Sequence, residues 1–194
     1  MSGQVNDDAL NVLFRNARSH GTWQDKPVSD AQLHAIYELM KMAPTTANSQ
    51  PTRILFLRSE AAKERLKPAL SAVNTKKVMT APVTAILGHD TRFFEMLPRL
   101  YRIPTARSWY DNPQAPVHSL RNGSIQGGFF IMAARALGLD CGPMSGFDQA
   151  KVDAEFFPDG RVKSNFLCSL GYGDPSALPP QDERLPFDEV CKIL

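Results

Sequence analysis

Long apolar runs are missing from this chain. No stretch approaches the ~18 residues that a membrane-spanning helix needs, and the longest candidate, Gly127 to Ala134, is cut by Arg135. A membrane protein is not expected. Cysteine is scarce: Cys141, Cys168 and Cys191 are the three present, far apart and in no CxxC pair. Neither a disulfide framework nor a zinc site is expected, and a reducing cytoplasm suits the count. A surplus of one charge is also missing. Lys and Arg number 22 against 20 Asp and Glu, so the net charge is +2, and the densest basic pair is Lys76-Lys77. A nucleic-acid partner would call for a basic stripe. The opening residues, Met1 to Asp8, carry no basic stretch followed by an apolar one, so no secretory signal is expected. His20, His34, His89 and His118 show no HxxxH or HExxH spacing, and no metal is expected.

Common catalytic signatures are absent too. There is no GxGxxG and no Walker A loop, and Gly142-Pro143-Met144-Ser145-Gly146 sets its serine one place late for a GxSxG elbow. Gly171-Tyr172-Gly173 reads as a turn. An enzyme made from this chain would take its hard chemistry from a bound organic group.

What remains is an ordinary globular composition. The 194 residues are 43% hydrophobic and 22% charged, with 15 prolines against 12 glycines. One domain, 1–194, is expected, burying roughly 70% of its unfolded surface. Leu10, Leu13, Phe14 and Ala17 fall on one helical face, predicting an amphipathic helix over 7–18. Ser29 and Gln32 form a capping box ahead of Leu33, Ile36, Tyr37 and Met40, and Pro44 stops that helix. Thr52 to Leu57 reads as a strand. Ser59 caps a helix running to about Lys67. Strands are predicted at 82–87 and 165–170. A long helix is predicted from Ser119 to Leu137 and ended by Gly138. Asp148 to Phe156 reads as a helix, 175–186 as a proline-rich connection, and 187–194 as a short terminal helix. Residues 90–117 are irregular and aromatic, and predict a lid or binding loop. Interleaved helices and strands place the chain in the α+β class, with a central sheet.

Four segments carry more polar groups than a plain loop requires. Arg18-Ser19-His20 ends the first helix; its donors suit a phosphate, and equally a helix C-terminus neutralised by a cation. Pro44 and Pro51 bracket Thr45, Thr46, Asn48 and Gln50, whose amides suit the uracil-like edge of a ring, and equally a capped turn. Asn74 and Lys77 precede Ala81-Pro82; without context, Lys76-Lys77 is a solvated basic pair. Pro143, Met144, Ser145 and Gly146 lead to Asp148, where glycine lets the backbone approach a planar ligand, or simply makes a Pro-Gly loop.

Taken in order, these segments resemble the flavin-dependent nitroreductase family over essentially the whole chain. The run is Ala17-Arg18-Ser19, then Pro44-Thr45-Thr46-Ala47-Asn48-Ser49-Gln50-Pro51, then Asn74 and Lys77. Ala136-Leu137-Gly138-Leu139-Asp140, Gly142 to Asp148, Leu170-Gly171-Tyr172-Gly173 and Arg184-Leu185-Pro186 follow. Ala106-Arg107-Ser108-Trp109, Arg121 to Gln126 and Gly142 to Asp148 look like the malonic semialdehyde reductases of the Rut pathway of pyrimidine degradation.

The resemblance implies an FMN fold with a mostly antiparallel sheet flanked by helices, in an intertwined homodimer. It implies FMN as cofactor and NADH or NADPH as reductant in a ping-pong hydride transfer. The acceptor would be a small aldehyde, a nitro compound or a quinone. Malonic semialdehyde, giving 3-hydroxypropionate, leads; a broad nitro- or quinone-reductase is the alternative, and a flavin-binding protein without turnover the second. Arg18, Ser19 and Arg184 match phosphate-binding positions, with His20 as a helper. Asn74 and Lys77 match the flavin pyrimidine edge, where a unit charge at ~4 Å is worth at most about 4 kcal/mol at an effective dielectric of 20. Ser145 and Gly146 match the loop at flavin N5, following Pro143 and Met144. Thr45, Thr46 and Asn48, with Gln50 alongside, match the segment that reaches the partner subunit's flavin. Arg107, in the lid region, is the expected carboxylate partner; Tyr101, Tyr110 or water could supply the proton. The chain departs from the family at Gly21 and Asp182, often basic there, and at Thr52, often aromatic.

Overall fold

Each strand of the sheet is explained by its neighbours. The computed structural model describes residues 3–194. Met1 and Ser2, the start of the segment read as lacking a secretory signal, lie outside the described residues. β1 (Thr52–Leu57), β2 (Val83–Asp90), β3 (Asp140–Met144) and β4 (Val162–Gly171) form one sheet in the order β1-β2-β4-β3, antiparallel at every pairing. β2 is buried along its whole length, so both of its faces need covering. Alternation sends Ala85 and Leu87 to one face and Ile86 to the other. On the first face they meet Ile36 and Met40 of α1 (Asp30–Met40) and Phe130 and Ala134 of α4 (Ala115–Ala136). On the second, Ile86 and Leu167 meet Leu66 of α2 (Glu60–Leu66), Val78 of α3 (Ala72–Thr80) and Val152 of α5 (Gln149–Phe156).

Local signals set the helix ends. The Gln32 N–H donates to Ser29 Oγ at 3.2 Å while Ser29 N–H donates to Gln32 Oε1 at 3.0 Å, completing the predicted box. At the far end of α4, Gly138 takes φ +75°. Its N–H bonds the Arg135 carbonyl and the Leu139 N–H bonds the Ala134 carbonyl, both at 3.0 Å, a Schellman closure.

Several expectations are corrected. The helix predicted over 7–18 is one α turn, Asp7–Leu10, continued by a wider π-type turn, Asn11–Arg15, and its Phe14 is 58% exposed. The apolar face was there, but this chain packs little against it. The long helix starts at Ala115, not Ser119. Strands β2 and β4 outrun their predicted ends, and β3 replaces the loop expected at 142–144. α3 stands where only a polar segment was read. The terminal helix is limited to Phe187–Val190. Residues 90–117 are not an irregular loop. They form helical turns at Phe93–Met96, Leu97–Leu100, Pro104–Ala106 and Arg107–Tyr110 around a small core of Phe93, Phe94, Leu97, Ala106 and Ala115.

The buried histidine of β2 makes stability depend on pH. Burial holds His89 below the ordinary histidine pKa against the nearby charges of Asp153 and Asp90, and Lys163 adds to the lowering. The unfolded chain therefore takes up a proton that the folded one resists. Stability is full above the unfolded pKa of ~6.5 and falls as pH drops below it, with a slope of up to about 1.4 kcal/mol per pH unit from this group. Urea unfolding of the protein at pH 7 and pH 5, compared with a His89→Gln variant, should show the variant losing that part of the slope.

Candidate functional site

Two separate polar groups stand on this framework. The first gathers at the end of the sheet where β3 meets the N-terminal segment. The His20 N–H donates to the Cys141 carbonyl at 2.9 Å, and Ser19 bridges Cys141 in parallel. That lays Arg18, Ser19 and His20 along the outer edge of β3. Only glycine permits the approach: a Cβ on Gly142 would lie 2.3 Å from the His20 carbonyl oxygen. The His20 ring is buried, 3.5 Å from Asp140 Oδ1 through Nε2, and Gly173 leaves room for it; its Nδ1 has no partner.

α3 delivers the next two residues to the same place. The Asn74 side chain is buried and Nδ2 donates to the Gly146 carbonyl at 3.1 Å, as does the Ser71 N–H at 3.1 Å. A Cβ on Gly146 would lie 2.7 Å from Asn74 Nδ2 and 3.0 Å from Ser71 Oγ. One turn on, the stem of Lys77 lies over Gly21, where a Cβ would come within 2.9 Å of Lys77 Cε. The glycine found where a basic residue was expected therefore makes way for a lysine from another element. The Lys77 carbonyl accepts from Trp23 Nε1 at 3.1 Å, which pins the helix to the N-terminal segment. Pro143 and Met144 form the last rungs of β3, opposite Cys168 and Leu167, and leave Ser145 and Gly146 exposed beyond the strand.

The second group is the segment between Pro44 and Pro51. Ala47, Asn48 and Gln50 take φ of +49°, +50° and +41° on either side of Ser49 at −69°, left-handed conformations that cost non-glycine residues about 1 kcal/mol or more each. The segment is held by the Thr46 N–H on Asn122 Oδ1 at 2.8 Å, Asn48 Nδ2 on the Leu100 carbonyl at 2.9 Å and Gln50 Nε2 on Asn48 Oδ1 at 2.8 Å. The Gln50 N–H also reaches Thr45 Oγ1 at 3.3 Å. Ala47 packs on the small core of the lid. Lid and segment are thus one body, bordering a cleft of about 860 Å3 along α1 and β1 that includes Gln50 and Leu100.

The remaining predicted residues stand apart. Arg18 Nη2 donates to the Pro179 carbonyl at 2.7 Å, tying the C-terminal segment to the first group. Among the described residues, Arg184 itself bonds only the carbonyls of its own neighbours, Asp182 and Glu183. Arg107 is exposed on its helical turn, with Nη2 3.9 Å from Asp111 Oδ2.

Sequence reading missed Ser71. Its Oγ caps nothing and is buried beside Gly146 without a partner among the described residues. The signal was present: Ser71 stands immediately before a helix, at a position where its hydroxyl ordinarily caps.

The arrangement gathers backbone N–H and carbonyl groups, an amide and an ammonium around close-packed glycines. No cluster able to hold a metal ion occurs among the described residues, and no helix among them is long and apolar enough to cross a membrane. Comparison with known proteins adds the family. A relative from Ralstonia nicotianae, named NADH dehydrogenase/NAD(P)H nitroreductase, is 53% identical over 187 residues, covering 95% of this chain and 96% of its own. One of the same name from Polynucleobacter asymbioticus is 52% identical over 196 residues and covers both chains completely. Among solved structures, a nitroreductase from Exiguobacterium sibiricum in complex with FMN superposes with a TM-score of 0.87 at 21% identity, covering 100% of each chain. The family description "Nitroreductase family" matches residues 14–172, and the chain belongs to the nitroreductase family.

Proposed function

We propose that the protein is an FMN-dependent NAD(P)H oxidoreductase, and that its acceptor is malonic semialdehyde, reduced to 3-hydroxypropionate. The observation that carries the cofactor reading is the meeting of Asn74, Ser71 and Gly146 with Lys77 nearby over Gly21. A buried hydroxyl without a partner beside an exposed glycine backbone fits a planar ligand with polar edges. The FMN-bound relative from Exiguobacterium sibiricum and the NAD(P)H in the relatives' names support the same reading.

When bound, FMN supplies a carrier that takes up and gives back hydride at N5. The chain's own residues do the rest. Asn74 fixes the loop at Gly146, and the backbone after β3 would then meet a bound flavin without rearrangement. Lys77 would place its positive charge near the pyrimidine edge of a bound flavin. Arg18, Ser19 and His20 would hold the phosphate; Arg184, which bonds the Asp182 and Glu183 carbonyls, would have to turn toward it from the C-terminal segment that Arg18 ties down. The strained Thr45–Gln50 segment and the lid belong to the other body, and we place them over the flavin of a partner subunit. Half-exposed Ile125 and Phe129 on the outer face of α4 are the kind of surface such a homodimer would cover.

Malonic semialdehyde rests on the motif around Arg107 and on that residue's exposed guanidinium. A quinone or nitroarene is favoured instead by Trp109, 50% exposed and edge-on to Tyr101 at 6.4 Å. One acceptor panel under common conditions separates these readings: malonic semialdehyde, a quinone and a nitroarene, each with NADH and with NADPH. Arg107→Ala is expected to raise KM for the semialdehyde about tenfold, the worth of one charge-assisted hydrogen bond, and to leave the quinone KM unchanged. Equal shifts for both would remove Arg107 from substrate binding. Flavin bound without turnover of any acceptor would leave the protein a binder.

A further inference from the structure

α3 carries Asn74 and Lys77, and it is tied down near both ends. Toward its start, Asn74 Nδ2 bonds the Gly146 carbonyl at 3.1 Å. Toward its end, Lys77 begins the last four residues, whose carbonyls a helix terminus leaves without intrahelical donors. The donor for Lys77 comes from another element: Trp23 Nε1 reaches its carbonyl at 3.1 Å.

Trp23 is itself fixed from two sides. Its backbone pairs with Gly173 in an antiparallel bridge. Its ring lies against Gly142 of β3 and Gly171 of β4, where a Cβ would come 3.3 Å from Cζ2 and 2.9 Å from Cε3 respectively. The indole thus stands between the end of the sheet and α3, apolar toward the glycines and with its one polar atom on the helix.

The same short segment holds Lys77 a second time. Two residues before Trp23, Gly21 lies under the lysine stem, where a Cβ would come within 2.9 Å of Cε, 3.1 Å of Cγ and 3.2 Å of Cδ. Positions 21 and 23 therefore grip one lysine, at its stem and at its carbonyl. Arg18, Ser19 and His20 immediately precede them. One indole N–H joins the expected phosphate segment to the helix that carries the expected ring-edge charge.

We propose that Trp23 is a positioning residue of the flavin site: by holding the Lys77 carbonyl it keeps the lysine stem on Gly21, and so sets where the ammonium stands. The proposal rests on the FMN reading above. Hydride brings two electrons and one proton, so a ring that has accepted it carries one more negative charge than before. An ammonium displaced from its edge then weakens binding of the reduced form more than of the oxidised one.

The test uses the full chain with FMN. Trp23→Phe keeps an aromatic ring and removes the donor. It should weaken FMN binding roughly three- to tenfold, the loss of one hydrogen bond. The two-electron potential of the bound FMN, read against a reference dye, should fall by about 15 mV, a threefold greater loss for the reduced form at about 30 mV per tenfold. Benzothienylalanine at position 23, with sulfur in place of the N–H, should do the same with the ring shape kept, and decides the matter where Trp23→Phe does not fold. In a Lys77→Met background, Trp23→Phe should leave the potential unmoved, because no ammonium remains to be misplaced. An unchanged affinity and potential without the N–H would overturn the proposal. So would a potential shift of equal size with and without Lys77, or a loss of melting temperature alone, since either would make Trp23 a packing residue. Wild-type protein that takes up no FMN would overturn the FMN reading as well, which separates that failure from the others.

Discussion

Gly142→Ala should unfold the protein at a temperature roughly 6–12 °C lower and release its FMN. The added Cβ would lie 2.3 Å from the His20 carbonyl oxygen and 3.3 Å from Trp23 Cζ2. The first neighbour is backbone, so no rotamer change relieves it. Either β3 leaves β4, breaking the pairing of Gly142 with Ser169, or the 18–21 segment leaves β3, breaking the His20–Cys141 bond. Overpacking of this kind costs about 3 kcal/mol at its upper end, and for a domain of this length each kcal/mol moves the melting temperature by ~2–4 °C. The cofactor effect follows because the segment that must move carries Arg18, Ser19 and His20. Gly128→Ala is the control. Nothing lies within 4 Å of its Cβ position in the middle of α4, and alanine should add up to about 1 kcal/mol through helix propensity. Thermal melts and the flavin absorbance of the purified variants read both effects. A Gly142→Ala protein that melts normally and stays yellow would mean that the N-terminal segment does not form part of the site.

The features legible in the sequence were those whose cause is local. The Ser29–Gln32 box and the Gly138 closure are set by residues within one or two turns of each other, and both stand where they were read. β1 was legible because Thr52 to Leu57 is, apart from Arg53, apolar or β-branched and ends abruptly at both sides. β3 was not, since Gly142 and Pro143 read as a loop. Pro143 is tolerated because β3 is an edge strand, and what makes it a strand at all is β4, some 25 residues further on. The lid was misread for a similar reason: its order comes from Phe93, Phe94 and Leu97 meeting Ala115, contacts that no local periodicity reveals. The order of motifs singled out Asn74, Lys77 and Gly146 as expected flavin-edge and flavin-loop positions; in the fold Asn74 bonds the Gly146 carbonyl and Lys77 lies against Gly21. Ser71 went unnoticed because no helix was read over 72–80, so nothing marked the serine as a cap left unused.

The second large effect belongs to Asp90, a residue outside both polar groups. Asp90→Asn should lower stability by about 3 kcal/mol and weaken binding of every acceptor tested. The carboxylate is 2% exposed and accepts from Arg53 Nη2 at 2.7 Å, from Arg161 Nε at 2.9 Å and Nη2 at 3.0 Å, and from the Arg92 N–H at 2.9 Å. These donors come from β1, from the turn before β4 and from the first residues of the lid. Arg161 extends the network to Glu95 at 3.0 Å, and Asp90 together with Glu95 holds the Arg161 guanidinium above its ordinary pKa. An asparagine keeps the shape but turns one acceptor oxygen into an NH2 aimed at a guanidinium, and takes away the charge that two arginines share. Breaking a buried pair from one side typically costs 3–5 kcal/mol; both arginines here are about one-third exposed, so water recovers part of that. The functional loss follows because Arg92 and Glu95 begin the lid, whose turns continue to Arg107 and Trp109. A double-mutant cycle with Arg161→Met separates the two consequences. If the pair acts by holding the lid, the double variant should recover part of the stability relative to Asp90→Asn, because Arg53 is then the one guanidinium left facing the amide. Its KM for acceptors should nevertheless remain raised, because the lid is still untied. Recovery of both together would mean that Asp90 supports the fold alone, and that the lid is positioned by its own aromatic core.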